Sequence, residues 1–250
     1  MHESRADGRL ALAPGEVHVW YCWTAACRDP ALVARYRSLL SADELARMER
    51  FRFEERRHEH LVTRALCRLT LSRYAAVEPA AWQFDANRHG RPEIAAPDPG
   101  IPLRFNLSNT SSLVACAVTL GTDVGIDVEE TDRRGETVAI AERYFSAKEA
   151  AALLALPAEQ QRERFFALWT LKEAYIKARG AGLAIPLTRF SFDFTPAIGI
   201  GFDEGFDDRA DTWHFELHRP GPARMLAVAV RRAPGVPNVI RIRDIVPGTE

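Results

Sequence analysis

Cysteine is scarce: Cys22, Cys27, Cys67 and Cys116 are the only four in 250 residues. None forms a C-x-x-C pair, and no cysteine–histidine cluster has zinc-ligand spacing, which argues against a structural zinc site. Cys67 and Cys116 stand in apolar stretches and read as reduced core residues. Net charge is nearly absent. Thirty-three Lys and Arg face thirty-four Asp and Glu, a formal balance of −1, so no global basic field recruits nucleic acid or acidic lipid. Long apolar runs are missing too. Nothing approaches the roughly 18 residues of a membrane span, and "MHESRADGRLALAPGE" at the start holds no run suited to a signal peptide. These absences predict a cytoplasmic protein with no membrane or nucleic-acid partner.

Hydrophobic residues are 47% and charged residues 27%, ordinary for a globular protein with a sizeable core. The length suits one large domain or two of about 125 residues. Positive charge is concentrated locally, in Arg47, Arg50, Arg52, Arg56, Arg57, Arg64, Arg68 and Arg73.

"VHVWYCW" (Val17 to Trp23) alternates as a strand does. Helical patterning begins near Pro30, "SADE" at Ser41 to Glu44 is a capping box, and an amphipathic helix follows around His58 to Tyr74. "WQFDANRHGRPEI" reads as a strand, a turn at His89-Gly90 and an extended piece. "LRFNLS", "LVACAVTL" and "VGIDVEE" read as three strands. A second capping box, "SAKE" at Ser146 to Glu149, a break at Pro157 and another helix come next. The strands "FSFDF", "IGIGF", "TWHFELH" and "RMLAVAVR" then precede a last short strand and tail in "NVIRIRDIV". The repeated order of capping box and long helix predicts two similar α+β halves, residues 1–122 and 123–250, related by pseudo-twofold symmetry. A ligand cleft between them is the expected site.

Charge intrudes on one helix. In "FFALWTLKEAYIKARGAGL" (Phe165 to Leu183), Phe165, Leu168, Trp169, Tyr175 and Ile176 cluster on one side of a wheel at about 100° per residue. Lys172 and Glu173 interrupt that face, and Lys177 lies on its border. A buried Glu–Lys pair explains this, as does a lysine stem reaching water; a site lined by the helix explains it equally. In "VGIDVEE", alternation turns Val124, Ile126 and Val128 to one side, and Asp127 and Glu129 to the other with Gly125. Side-by-side carboxylates are either a solvated strand end or a seat for a hard divalent cation such as Mg²⁺. Glu173 adds a third carboxylate, and lysines suit phosphate oxygens, the equipment of phosphoryl transfer. Arg91 in a tight turn, and Ser108, Asn109 and Thr110 at the end of a strand, are turn residues or ligand contacts.

Together, and in this order, the motifs resemble the larger, Sfp-type class of 4′-phosphopantetheinyl transferases. That family carries a G-K/R-P turn, F-N-x-S-H-S/T, G-[IV]-D-x-E, F-S-x-x-E, W-[ST]-x-K-E-x-x-x-K and G-x-G-L. Here stand "GRP" at Gly90 to Pro92, "FNLSNT" at Phe105 to Thr110, "GIDVE" at Gly125 to Glu129, "FSAKE" at Phe145 to Glu149, "WTLKEAYIK" at Trp169 to Lys177 and "GAGL" at Gly180 to Leu183. The resemblance implies transfer of the phosphopantetheine arm of coenzyme A to a serine of an apo acyl or peptidyl carrier protein, releasing adenosine 3′,5′-bisphosphate. It implies Mg²⁺ on Asp127, Glu129 and Glu173, with Glu173 the base candidate and Lys177 on the pyrophosphate. Lys172 either assists the leaving group or pairs with Glu149, the role preferred here. Arg91, Ser108, Asn109 and Thr110 would contact the cofactor, and Arg47 the 3′-phosphate with a second arginine of the Arg50 to Arg64 segment. Two halves in one chain make a monomer sufficient.

Two positions depart from the family. Glu59 stands where relatives often carry arginine, with Arg57 or Arg64 as substitutes. Asn109 replaces the usual histidine, and a neutral amide cannot carry that charge. A metal-dependent nuclease is a weaker alternative, because its lysine belongs on a strand beside the acids. A catalytically impaired module that binds coenzyme A or a carrier is the other, supported by Asn109 alone.

Overall fold

The computed structural model describes residues 8–133 and 138–249. The first seven residues of the stretch read for a signal peptide lie outside that range. The chain builds β1 (Glu16–Trp23), α1 (Pro30–Leu39), α2 (Ala42–Glu49), α3 (Glu54–Ser72), β2 (Gln83–Ala86), β3 (Pro92–Ala96), β4 (Leu103–Asn109), β5 (Leu113–Leu120) and β6 (Val124–Glu130). It continues through α4 (Ala141–Tyr144), α5 (Ala147–Leu154), α6 (Ala158–Arg179), β7 (Phe190–Asp193), β8 (Gly199–Phe202), β9 (Trp213–His218), β10 (Arg224–Arg231) and β11 (Val239–Asp244). The class is α+β, as the sequence pattern predicts. Both capping boxes form: Ser41 and Glu44 start α2, and Ser146 and Glu149 start α5.

Two sheets carry the architecture, one ordered β11-β1-β5-β4 and the other β6-β10-β9. Strand alternation explains how they stack. Val17, Val19, Leu113, Ala115 and Ala117 meet Val124, Ile126, Val128, Leu226, Val228 and Val230 in an apolar layer between the sheets. The opposite faces of the same strands turn outward to helices. Trp20, Cys22, Val114, Cys116 and Val118 pack with α3 residues Val62, Leu66 and Leu71. Met225, Ala227 and Ala229 pack with α6 residues Leu171, Ala174 and Ala178. The result is a helix–sheet–sheet–helix stack, with period-2 strands burying apolar side chains on both faces. All four cysteines are buried.

The last strand returns to the first sheet. β11 runs parallel to β1, Glu16 opposite Val239 and Tyr21 opposite Asp244, so this part of the 123–250 segment completes the sheet of the preceding half. No helix among the described residues is long and apolar enough to cross a membrane.

Helix α6 differs from the one-sided stripe read off its wheel. Phe165, Phe166, Ala167, Leu168, Thr170, Leu171, Lys172, Ala174, Tyr175, Ile176 and Ala178 are all buried, because the helix lies between the β6-β10-β9 sheet and a cover formed by α5, β7 and β8. It ends at Gly180, whose φ of 62° is the left-handed C-cap conformation. Gly125 sets the approach of β6 to this helix. A Cβ there would lie 2.0 Å from the Ala174 carbonyl oxygen and 2.5 Å from the Ala178 nitrogen, so only glycine lets strand and helix come this close.

Candidate active site

The site forms where the edge strands of the two sheets, β4 and β6, meet. No backbone ladder joins them. Asn106 Oδ1 accepts from the Ile126 amide at 2.9 Å, and Ser108 Oγ accepts from the Val128 amide at 3.1 Å. Polar side chains at alternate positions of β4 thus satisfy the exposed edge of β6. Asn106 went unnoticed in the sequence; the signal was polar Arg104, Asn106 and Ser108 recurring at every second position of an otherwise apolar strand.

Asp127 and Glu129 project from β6 on the face of Gly125, toward α6. Asp127 is 5% exposed. Its Oδ1 accepts from Lys177 Nζ at 2.7 Å and from Ser108 Oγ at 3.0 Å. Lys177 Nζ also donates to Ser108 Oγ at 2.9 Å and to the Ile126 carbonyl at 3.2 Å. The second oxygen, Oδ2, is buried and has no hydrogen-bond partner among the described residues. Burial pushes the Asp127 carboxyl up, against the pull of Lys177. Glu129 pairs with Arg133 at 2.8 Å; burial, then repulsion from Asp127, pushes it up to about 7. Glu173 is raised to about 7 by the same two causes in the same order. Three acids that each resist ionisation share one small region.

Two hollows meet at Lys177. A polar cleft of about 590 Å³ is lined by Arg56, Ser108, Asn109, Thr110, Asp127, Glu129, Arg133 and Lys177 among others. A more apolar groove of about 640 Å³ is lined by Tyr144, Trp169, Glu173, Ile176, Ile185, Pro186 and Leu187, again with Lys177. The structure therefore brings together Asp127, Glu129, Glu173, Lys177, Ser108, Asn109 and Thr110. Thr110 also serves its turn, its hydroxyl accepting from the Leu113 amide at 3.1 Å.

Three of the residues singled out in the sequence lie elsewhere. Lys172 is fully buried, its Nζ 2.8 Å from Glu149 Oε2 and donating to the Leu187 and Phe190 carbonyls at 2.8 and 2.6 Å. Of its two open roles, the Glu149 pair is the one the structure contains. Arg91 donates to the Ala178 carbonyl and to Glu93, both at 2.8 Å. Asn87 donates to the Gly180 carbonyl at 2.9 Å, so the "NRHGRP" turn caps the end of α6. Arg47, in the last turn of α2, is exposed and outside the polar cleft's lining. Arg57 and Arg64 are engaged with Glu54 and Glu44. The arginine that reaches the cleft from α3 is Arg56, which lies within the Arg50 to Arg64 segment expected to supply the second arginine.

Among the described residues, no three His, Cys, Asp or Glu side chains converge closely enough to hold a metal ion as they stand. Lys177 and Arg133 occupy the carboxylates instead. The donor set nevertheless fits a hard divalent cation: it is all oxygen, one buried oxygen lacks a partner, and the acids are destabilised for want of positive charge.

Carboxylates and a lysine around a polar cleft are the means by which proteins act on phosphate esters. The family model described as "4'-phosphopantetheinyl transferase superfamily" matches residues 123–230, and one described as "4'-phosphopantetheinyl transferase, N-terminal" matches residues 23–120. The 4′-phosphopantetheinyl transferase HetI of Nostoc sp. is 37% identical over 175 residues, 70% of this chain and 73% of that protein. The 4′-phosphopantetheinyl transferase Sfp of Bacillus subtilis is 34% identical over 158 residues, 63% of this chain and 67% of that one. A solved structure, the holo-[acyl-carrier-protein] synthase of Thermotoga maritima, is 27% identical with a TM-score of 0.37, over 44% of this chain and 62% of that chain. The chain belongs to the 4′-phosphopantetheinyl transferase superfamily, and it is an enzyme of that kind.

Proposed function

We propose that this transferase moves the 4′-phosphopantetheine arm of coenzyme A onto a serine of an apo acyl or peptidyl carrier protein, with Mg²⁺ held by Asp127, Glu129 and Glu173. The observation that carries the reading is Asp127. It is a buried carboxylate with one oxygen bound by Lys177 and Ser108 and the other unpartnered. Mg²⁺ bound there supplies charge neutralisation on the pyrophosphate of coenzyme A.

The chain's own residues do the rest. Ser108 and Thr110 contact the cofactor's phosphates from the lining of the polar cleft, where Asn109 stands beside them. Lys177, at the junction of cleft and groove, turns its ammonium from Asp127 toward the pyrophosphate. Glu173 faces the apolar groove, from which the carrier presents its serine, and takes the proton from the serine Oγ. That oxygen attacks the phosphorus bearing the pantetheine arm. The bond to the bridging oxygen breaks, and adenosine 3′,5′-bisphosphate leaves. Lys172 acts at a distance, holding α6 against α5 and β7 through Glu149. Residues 1–122 supply the nucleotide contacts and 123–250 the carboxylates, two halves in pseudo-twofold relation, and a monomer in the cytoplasm suffices.

Release of adenosine 3′,5′-bisphosphate from coenzyme A tests this. Release that requires the apo carrier, the intact chain and Mg²⁺ supports the reading. Release independent of the carrier, or undiminished in EDTA, overturns it.

A further inference from the structure

The two departures from the family's pattern, Glu59 and Asn109, meet in space. Asn109 at the end of β4 donates its Nδ2 hydrogen bond to Glu59 Oε1 on α3. Glu59 is 4% exposed. One helical turn earlier, Arg56 clasps the same carboxylate, its Nη1 2.7 Å from Oε2 and 3.1 Å from Oε1. The Arg56 side chain is 55% exposed and lines the polar cleft beside Ser108, Asn109, Thr110 and Lys177.

Charge and donor count decide what this cluster can do. A buried carboxylate beside a phosphate-binding cleft is repulsive unless a cation covers it. Arg56 covers it with one nitrogen. A guanidinium has five N–H donors in a rigid fork, and the others make no hydrogen bond among the described residues. Lys177 and Arg133, which also line the cleft, sit on Asp127 and Glu129 in this structure. Arg57 donates to the Phe51 carbonyl, and Arg64 and Arg68 face Glu44. Arg56 is thus the α3 arginine presented to the cleft with donors to spare, and its orientation is set by a buried acid that is itself fixed by Asn109.

We propose that Arg56 grips a phosphate group of coenzyme A from the α3 side of the cleft, and that Glu59 and Asn109 are positioning residues that hold its guanidinium there. The inference rests on the transferase reading above. Asn109 then acts on the cofactor mainly through Glu59 and Arg56, and its substitution for a charged side chain is offset by the arginine.

Calorimetric titration with coenzyme A and with dephospho-coenzyme A, together with transfer kinetics, tests this on the full chain and on Arg56→Gln, Glu59→Gln, the double variant and Arg57→Gln as a control outside the cleft. Arg56→Gln weakens coenzyme A binding roughly ten-fold or more, the loss expected for a charge-assisted contact, and raises KM while kcat changes little. Glu59→Gln raises KM less, and adds nothing once Arg56 is gone. An effect confined to coenzyme A assigns Arg56 to the 3′-phosphate; an equal effect on dephospho-coenzyme A assigns it to the pyrophosphate. If coenzyme A binds Arg56→Gln as tightly as wild type, or if Glu59→Gln costs the same with and without Arg56, the inference falls while the transferase reading stands. A wild-type chain that neither binds coenzyme A nor transfers its arm brings down both.

Discussion

Lys172→Met separates a positioning lysine from a catalytic one. Lys172 is 0% exposed and its partner Glu149 is 4% exposed. The ammonium makes the 2.8 Å ion pair, donates to two carbonyls and lies 4.2 Å from the centre of the Phe190 ring. Methionine keeps the volume and removes all of this. Stripping one partner from a buried pair costs about 3–5 kcal/mol. Glu149 keeps donors in the Ser146 amide at 3.1 Å, the Ser146 hydroxyl at 2.9 Å and the Phe192 amide at 2.9 Å, which places the loss near the lower end, about 3 kcal/mol. For a chain of this size that lowers Tm by on the order of 10 °C. Glu149→Gln in the same background removes the stranded charge and recovers part of the loss. Scanning calorimetry reads the stability. Transfer kinetics well below Tm should show kcat within a few-fold of wild type and an unshifted pH profile. A variant that melts like wild type yet loses kcat by orders of magnitude would refute the positioning role.

Glu129 and Glu173 are raised from an ordinary 4.5 to about 7, so the folded chain binds more protons than the unfolded one between those values. The metal-free protein therefore loses stability as pH rises from about 4.5 to 7, by at most about 3 kcal/mol for each group, and Mg²⁺ should raise Tm more at pH 8 than at pH 6. A Tm in EDTA that climbs over that interval, with no larger Mg²⁺ effect at high pH, contradicts this. Gly125→Ala drives a Cβ into the backbone of α6 and should cost at least about 3 kcal/mol; near-ultraviolet circular dichroism unchanged from wild type would show the strand has room to move. Asn109→His places a chargeable ring beside Glu59 and should lower the KM for coenzyme A while adding sensitivity to mild acid, and an unchanged KM rules that out.

Local patterns carried much of the fold. The two capping boxes marked helix starts at Ala42 and Ala147, because Ser and Glu three apart satisfy each other's amides without help from the rest of the chain. Alternation in "VGIDVEE" placed Asp127, Glu129 and Gly125 on one face for the same local reason. The wheel of α6 misled, since a helix packed around most of its circumference buries residues nearly all round and, from Phe165 to Ala178, leaves open only the line of Trp169, Glu173 and Lys177. Arg91 illustrates a different limit. A tight turn is legible, but its packing against a helix end some ninety positions later depends on tertiary contact. The Arg56–Glu59–Asn109 cluster was hidden likewise: the i, i+3 pair looks like a surface ion pair until β4 closes over it. The return of β11 to β1 joins residues more than two hundred positions apart, and no short-range signal carries a pairing of that reach.

Transfer to a carrier is read by intact mass spectrometry of an apo carrier protein after incubation with this chain, coenzyme A and Mg²⁺. The carrier should gain one phosphopantetheine arm on its serine, and Glu173→Ala and EDTA should each abolish the gain. A carrier series that stays apo while the chain demonstrably binds coenzyme A, or a gain that survives Glu173→Ala, would contradict the proposed function.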